Sequence, residues 1–295
     1  MRLDTPETHI LRGAIDTHIH SSPDVLPRRQ ADREVVADAD TAGMAAVVLK
    51  NHTSPTAARA AIAGESARTT VLGGIVLNHS CGGLNPHAVR DTLALGGKII
   101  WMPTISAENH LRYLRSQDAD PYIQAITPSI SNGISLADGS TLAAVGEILD
   151  LIAEVDAVLA TGHLSVDETA WLASEARRRG VTRILVTHPE APQIKMSLDV
   201  QRELAGVGVM FERCYYSLVA GTATVASMLE TMRSVGVDST VLATDLGQVN
   251  NPPPVEGFAL FRSAMEESGM SGDEWQLVAC DNPARLLGID MEAER

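Results

Sequence analysis

The sequence predicts an α/β protein folded as a single (β/α)8 barrel, with a small hairpin inserted after the fourth strand. Eight short apolar runs alternate with helical patterns along the chain, and such runs are typical of parallel strands buried on both faces. The chain has 295 residues and is 45% hydrophobic, which suffices for one large core, so we expect one domain over 1–295. The predicted strands are 14–20, 44–50, 71–77, 98–102, 157–162, 183–187, 207–211 and 240–244.

Between these strands lie segments with helical periodicity, several preceded by Ser, Asp or Asn as N-caps. Gly43, Gly96 and Gly180 are expected to end three helices. The same alternation would allow a doubly wound sheet, but that fold would have a glycine-rich phosphate loop where this chain has His-Ile-His-Ser-Ser-Pro-Asp after strand 1. The predicted helices are 31–42, 54–63, 86–95, 143–154, 167–179, 197–205 and 221–235.

Two loops interrupt this repeat. Segment 126–142 contains Pro128 and the pair Asn132-Gly133, which indicate turns and predict the hairpin after strand 4. The hairpin would either shape the mouth of the pocket or be a surface excursion. Segment 250–254, Asn-Asn-Pro-Pro-Pro, is predicted to be a stiff loop near Asp245, outside any helix or central strand.

Charge and cysteine content limit the partners and the compartment. A formal net charge of −14 would repel nucleic acid and anionic membranes, so we expect a small-molecule substrate. Cys81, Cys214 and Cys280 form no paired motif, and we expect buried thiols in a reducing compartment. Residues 1–9 carry acidic residues and a proline in place of an apolar stretch, which favours a cytoplasmic protein. A homo-oligomer is compatible with the sequence.

Histidine and aspartate stand at the ends of several predicted strands. His18 and His20 alternate on strand 1 and therefore point to the same face. His163, His188 and Asp245 end strands 5, 6 and 8. A parallel barrel gathers the carboxyl ends of its strands at one face, so this set predicts a shared divalent metal site. Zinc is the first candidate, with manganese, iron and nickel as alternatives.

This arrangement resembles the amidohydrolase superfamily of metal-dependent TIM-barrel enzymes, in which an HxH pair ends strand 1, single histidines end strands 5 and 6, and an aspartate ends strand 8. Residues 281–288, Asp-Asn-Pro-Ala-Arg-Leu-Leu-Gly, are similar to the helix start with which many members close. The resemblance implies one or two metal ions per chain. Its implied ligands are His18, His20, His163, His188 and Asp245.

One position departs from the family pattern. Many binuclear members carry a carboxylated lysine or a glutamate at the end of strand 4, where this chain reads Ile100-Trp-Met-Pro-Thr104. Lys50, at the end of strand 2, is the nearest substitute for a bridging ligand. A lysine buried beside cations would have to be neutral or carboxylated. Alternatively, Lys50 anchors a substrate carboxylate, and the sequence leaves both roles open.

Catalytic and substrate-binding roles follow from the same positions. Asp245 is the expected proton shuttle, and His188 either holds a second ion or orients the water. Asp16 either orients a ligand histidine or caps a turn. The pair Arg28-Arg29 is either a basic lip over the site or a solvent-exposed charge pair. The candidate substrate contacts are His52, Asn78, His79, Glu212 and Arg213.

The leading hypothesis is a hydrolase whose metal-activated water attacks a cyclic amide, a lactone or a related carbon–nitrogen or ester bond. The alternative within the same fold is a mononuclear, non-oxidative decarboxylase, because members of that branch also lack the strand-4 bridge. A deaminase lacks support from a purine or pyrimidine pocket. A non-catalytic barrel that binds a metal or metabolite is the alternative from another class.

Overall fold

The structure is a computed structural model that describes residues 11–116, 124 and 130–291. Its strand segments all pair in parallel, in the orders β1-β2-β3 and β4-β5-β6-β7-β8-β9. The strands are β1 Ile15–His20, β2 Ala46–Lys50, β3 Thr70–Leu72, β4 Gly74–Val76, β5 Ile99–Trp101, β6 Val158–Ala160, β7 Arg183–Thr187, β8 Met210–Cys214 and β9 Thr240–Ala243.

The two sheets join into the barrel that the sequence predicts. On one side β3 and β4 are consecutive pieces of the predicted third strand, separated at Gly73. A Cβ on Gly74 would stand 1.8 Å from the carbonyl oxygen of Ile99, so this close strand approach requires glycine. On the other side the Asp245 N–H donates to the carbonyl of His18 at 2.9 Å, and Ile19 bridges Leu246 in parallel. The strand ends of β1 and β9 are therefore adjacent.

Helices follow nearly every strand, as a (β/α)8 barrel requires. Gly43 and Gly180, which were expected to end helices, have φ angles of 70° and 87°. Within the described residues, no helix combines the length and apolar character needed to cross a membrane. The α-helices are α1 Asp32–Ala42, α2 Ala57–Gly64, α3 Pro86–Ala94, α4 Glu108–Leu114, α5 Leu142–Glu154, α6 Val166–Arg178, α7 Leu198–Gly206, α8 Tyr215–Val219, α9 Val225–Val235, α10 Pro254–Glu267, α11 Gly272–Gln276 and α12 Asn282–Leu287.

The core has an inner and an outer part. Alternate strand residues such as Val48, Val158 and Val241 form one buried cluster with Leu286 and Leu287 of α12. Arg183, at the start of β7, donates to the Leu286 carbonyl at 3.1 Å, so α12 closes the amino-terminal end of the barrel. The opposite faces of the strands pack against the surrounding helices. The carboxyl-terminal end of the barrel is left for the functional site.

Two predicted elements differ from the structure. The seventh predicted strand, 207–211, lies at Met210–Cys214, because α7 runs to Gly206 and Gly208 turns the chain with φ of 81°. In segment 126–142 the hairpin is not formed within the described residues 130–142. Ile134 instead makes an isolated parallel bridge to Ala107; residues 126–129 lie outside the described residues.

The proline-rich segment 250–254 is a loop, as predicted, up to its last residue. Pro254 itself begins α10. Proline is favourable at the first helical position, because its fixed φ suits the helix and its missing N–H would have no partner within the helix.

Candidate metal centre

The two histidines of β1 meet the aspartate that follows β9 at the carboxyl-terminal end of the barrel. The Nε2 atoms of His18 and His20 are 3.3 Å apart. Oδ1 of Asp245 lies 3.0 Å from Nε2 of His18 and 3.1 Å from Nε2 of His20. Ligand atoms that share one zinc ion at about 2.0–2.2 Å stand roughly 3.0–3.5 Å apart. The spacing of these three donor atoms therefore suits a single divalent ion.

A second pair of histidines faces the first. His163 follows β6 and His188 follows β7, and their Nε2 atoms are 3.2 Å apart. The His188 ring stacks on that of His18 with 6.2 Å between the centroids. The five residues named as ligands are thus brought together, in two groups that share one end of the barrel.

Lys50 joins the same cluster. Its side chain at the end of β2 is buried, and Nζ lies 2.9 Å from Nε2 of His18. The same Nζ atom lies 5.3 Å from the ring centroid of Trp101, the last residue of β5. Burial lowers the pKa of Lys50, which favours the neutral amine that a ligand role requires.

Glu212 supports His18 from beneath. Because β8 is shifted towards the carboxyl terminus, Glu212 lies within the strand, and its Oε2 is 2.9 Å from Nδ1 of His18. Its Oε1 accepts a hydrogen bond from Thr17 Oγ1 at 2.9 Å. A carboxylate on Nδ1 holds the proton there and leaves Nε2 free to bind a metal. The sequence offered Glu212 as a substrate contact, but the structure places it behind a candidate ligand.

The Asp16 side chain accepts hydrogen bonds from backbone N–H groups near the site. Its Oδ1 accepts from the N–H groups of His18 at 3.1 Å and Thr244 at 3.0 Å, and its Oδ2 accepts from Thr244 Oγ1 at 2.6 Å. The register between β1 and β2 shifts after Asp16, so the regular alternation that would align Asp16 with the histidines is broken. Asp16 therefore pins β1 to the segment after β9 and does not contact an imidazole ring.

Charge at the site favours a cation. Burial lowers the pKa values of His20 and His163 well below the ordinary value and that of His188 to about 4, so these imidazoles are neutral with lone pairs available for a metal. Burial also acts to lower the pKa of His18, but the carboxylates of Asp245 and Glu212 outweigh it and raise that pKa to about 9. The two carboxylates thus stabilise positive charge at the point where the donor atoms converge.

Two further observations mark this end of the barrel as a binding site. His188 and Asp245 have positive φ angles of 29° and 52°, a conformation that strains non-glycine residues and clusters at functional sites. In the described part of the chain, buried Nδ1 of His188, Oγ1 of Thr187 and Nε1 of Trp101 have no hydrogen-bond partner. Protein groups alone do not satisfy the site. The donor set of imidazole nitrogens and a carboxylate oxygen fits a divalent metal.

The structure places the remaining predicted contacts differently. His52 is adjacent to the cluster, with its ring centroid 4.7 Å from that of His20. His79 is exposed on the rim, where Nε2 lies 2.8 Å from the Asn132 carbonyl. Asn78 is buried beneath the rim and bonds to the Thr104 backbone and hydroxyl.

Arg213 does not join the cluster. Since Glu212 points inward from β8, the next residue points outward. The Arg213 side chain is fully buried, pairs with Glu190 in the loop after β7, and donates to Oε1 of Gln201 on α7 at 3.0 Å. The structure therefore offers no support for Arg213 as a substrate contact.

Sequence reasoning missed two residues of the site. His110 on α4 is 2% exposed, and its Nδ1 lies 2.9 Å from Nδ1 of His163. A histidine on the apolar face of a helix was the available signal. Cys214, which the sequence predicted only as a buried thiol, has its donor atom within 4.8 Å of donor atoms of His18 and Asp245. All three cysteines are free thiols; Cys214 and Cys280 are buried as expected, but Cys81 is only partly buried.

Comparison with solved structures defines the class of fold. An amidohydrolase from Pseudomonas aeruginosa matches with a TM-score of 0.64 at 14% identity, covering 95% of this chain and 97% of that one. An organophosphorus hydrolase from Deinococcus radiodurans matches at 0.59 with 16% identity, over 95% and 94% of the two chains. A 2,6-dihydroxybenzoate decarboxylase matches at 0.54 with 13% identity, over 94% and 99%. The chain has the barrel fold that these solved structures share.

Within that class the chain belongs to DUF6282, a family of unknown function whose model matches residues 13–212. The matched segment includes the HxH pair, Lys50 and the histidines after β6 and β7, and ends at Glu212. A search of the curated proteins finds no match to this chain.

Proposed function

We propose that this protein is a metal-dependent hydrolase that cleaves a cyclic amide, a lactone or a related carbon–nitrogen or ester bond of a small molecule. The observation that carries the proposal is the convergence of His18 Nε2, His20 Nε2 and Asp245 Oδ1 at mutual distances of 3.0 to 3.3 Å. These atoms would hold a divalent ion, with zinc the first candidate and manganese, iron or nickel alternatives. Such an ion supplies Lewis acidity, which polarises the bond under attack and makes water nucleophilic near neutral pH.

Side chains of the protein would transfer the proton of the attacking water. The pKa of Asp245 lies well below its ordinary value: burial acts to raise it, but His18 and His20 outweigh this effect. Its carboxylate is therefore ionised at neutral pH, and its side chain is 15% exposed, so substrate can reach it. Asp245 would take the proton from the attacking water and return it to the leaving group. His188, neutral and opposite His18, would hold a second ion or orient the water.

In this proposal, the number of bound ions depends on whether Lys50 is carboxylated. A neutral amine can add carbon dioxide, forming a nitrogen–carbon bond and releasing a proton, and the resulting carbamate has two oxygens that can bridge ions. Its position beside His18 and its lowered pKa support this role. In that state Lys50 would link the group around His18 to the pair His163 and His188.

A mononuclear decarboxylase is the second candidate, and one observation favours it. β5 ends in Trp101, and the described residues that follow it, Met102 to Thr104, supply no carboxylate or lysine at the strand-4 position of the barrel. If Lys50 stays uncarboxylated, a single ion at His18, His20 and Asp245 would result. One structurally similar protein is a 2,6-dihydroxybenzoate decarboxylase.

The test of the metal centre is elemental analysis of protein purified without chelator, repeated after addition of zinc or manganese with bicarbonate. We expect two ions per chain with bicarbonate, one in Lys50→Ala, and less than one in His18→Ala. His79→Ala is the matched control, because His79 is an exposed histidine outside the cluster. Wild-type protein that binds no stoichiometric metal would refute the proposal, and unchanged stoichiometry in Lys50→Ala would refute the bridging role.

The test of the reaction is a screen of lactones and cyclic amides, with carbon dioxide release from aromatic and unsaturated acids measured in parallel. We expect hydrolysis that depends on added metal. Asp245→Asn should retain the wild-type circular dichroism spectrum and lose most turnover, because an amide cannot accept the proton. Carbon dioxide release without hydrolysis would select the decarboxylase. Near-normal turnover in Asp245→Asn would contradict the shuttle role.

A further inference from the structure

Arg28 lies against the metal centre although it belongs to the loop between β1 and α1. Its side chain is 4% exposed, and Nε donates to Oδ2 of Asp24 at 2.7 Å. Nη2 lies 3.4 Å from Nδ1 of His20. The backbone of Arg28 bridges Gln248, in the loop after β9. Asp24 therefore holds the guanidinium next to a candidate metal ligand, and the Arg28 backbone is fixed to the loop on the other side of the site.

Most of the hydrogen-bonding capacity of this guanidinium is unused. A guanidinium has five N–H donors, and Asp24 takes the one on Nε. Among the described residues, Nη1 of Arg28 has no hydrogen-bond partner, and the contact of Nη2 with His20 is long. A His20 that binds metal through Nε2 carries its proton on Nδ1 and cannot accept from Arg28. Both terminal nitrogens would then be available to another acceptor.

Arg28 also brings a permanent positive charge to this site. The guanidinium of an arginine keeps its charge in proteins. The chain as a whole carries a net charge of −14, so its long-range field does not attract anions. An anion that binds at this end of the barrel needs a local cation, and the fork formed by Nη1 and Nη2 matches the two oxygens of a carboxylate.

We propose that Arg28 anchors a carboxylate of the substrate beside the metal centre, so that this protein acts on small anionic molecules. The inference rests on the proposed function for the reaction at the other end of the substrate, but binding of the anion can be measured without turnover. It assigns the anchoring role to Arg28 and leaves Lys50 to the metal.

The neighbouring arginine provides a matched control. Arg29 is exposed, and Nη1 donates to the Val249 carbonyl at 3.4 Å. Substitution of Arg28 or Arg29 by glutamine removes the same charge one residue apart. Only Arg28→Gln removes donors beside His20. Arg28→Lys keeps the charge but not the planar fork, and it retains a test of the proposal if Arg28→Gln proves unstable.

The experiment is isothermal titration with succinate, with uncharged succinamide as the negative probe and inorganic phosphate as a second anion. Metal content is measured on the same samples. We expect wild-type protein to bind succinate and not succinamide. Arg28→Gln should weaken succinate binding about 10- to 100-fold and Arg28→Lys several-fold, since a hydrogen bond to a charged group is worth roughly 1.5–3 kcal/mol. Arg29→Gln should stay within about twofold of wild type, because rim charges contribute little.

The other outcomes overturn the inference. Equal weakening in Arg28→Gln and Arg29→Gln would show an effect of net charge alone. Succinate binding that is unchanged in Arg28→Gln would remove Arg28 from the site. Phosphate that binds through Arg28 while succinate does not would replace the carboxylate assignment. Stoichiometric metal without succinate binding leaves the proposed function standing and refutes this inference, whereas Arg28-dependent succinate binding without metal refutes only the proposed function.

Discussion

Glu212 offers a sharp test of the metal centre, because it touches a candidate ligand without being one. Its side chain is fully buried, Oε2 lies 2.9 Å from His18 Nδ1, and Oε1 accepts from Thr17. In Glu212→Ala the Nδ1 proton of His18 loses its acceptor, so the ring is no longer held with Nε2 towards Asp245. Glu212→Gln can still place an oxygen on Nδ1 and an amide on Thr17, and it loses only the charge.

The expected magnitudes follow from these contacts. Removal of a group that orients a metal ligand costs about 10- to 100-fold in metal affinity. We expect Glu212→Ala at the upper end of this range and Glu212→Gln near the lower end. The assay is zinc affinity by competition with a chromophoric chelator, with the circular dichroism spectrum as a control for folding. Zinc affinity that is unchanged in a folded Glu212→Ala variant would refute the argument that this carboxylate fixes the His18 tautomer.

Three further predictions concern other residues of the barrel. Burial raises the pKa of Asp16 from 3.8 to about 7, although hydrogen bonds from Thr244 and His18 act to lower it. The folded protein therefore keeps the Asp16 proton up to a higher pH than the unfolded chain does. Because of this difference, the free energy of unfolding should fall as pH rises from about 4 to 7. Relative to Asp16→Asn, urea titrations should show a loss of up to about 4 kcal/mol over that window, and parallel pH profiles would contradict the buried carboxyl. His110→Leu should weaken the binding of zinc by His163 and His188 about 10-fold or more, whereas His110→Asn should retain the wild-type zinc affinity. Equal zinc affinities in the two variants would exclude an orienting role for His110. Gly74→Ala should cost about 3 kcal/mol or more in urea unfolding because its Cβ would overlap the Ile99 carbonyl, and wild-type stability would show that β4 and β5 can separate.

The eight-strand barrel was predictable because its strands are buried on both faces and therefore appear as short apolar runs. The seventh strand shows the limit of that signal. Val207 is apolar but exposed at the end of α7, whereas Glu212 and Arg213 are charged yet fully buried within β8. Their partners, His18 and Glu190, are distant in sequence. A pattern of hydrophobicity cannot reveal that a charged residue is buried when the compensating contact comes from another strand.

The candidate ligands were predictable for a related reason. His18, His20, His163, His188 and Asp245 each end a strand-like run, and parallel strands in a barrel bring their carboxyl ends to one face. Local sequence and this geometric rule are therefore enough to predict that these residues lie close together. The environment of each ligand was not predictable, because the β1 register shift, which separates Asp16 from the histidines, depends on pairing with β2.

By itself, therefore, the sequence determined the barrel, its order of strands and the residues that meet at its carboxyl-terminal end, since each of these depends on local periodicity and on where a strand stops. The tertiary structure alone decided which charges support the site. In the folded chain the Arg28 side chain is buried against His20, whereas Arg29 is exposed. Glu212 points into the barrel and Arg213 points out of it. His110 contacts His163. These outcomes depend on packing between segments far apart in the chain, which fixes both the direction of a side chain and the cost of its burial.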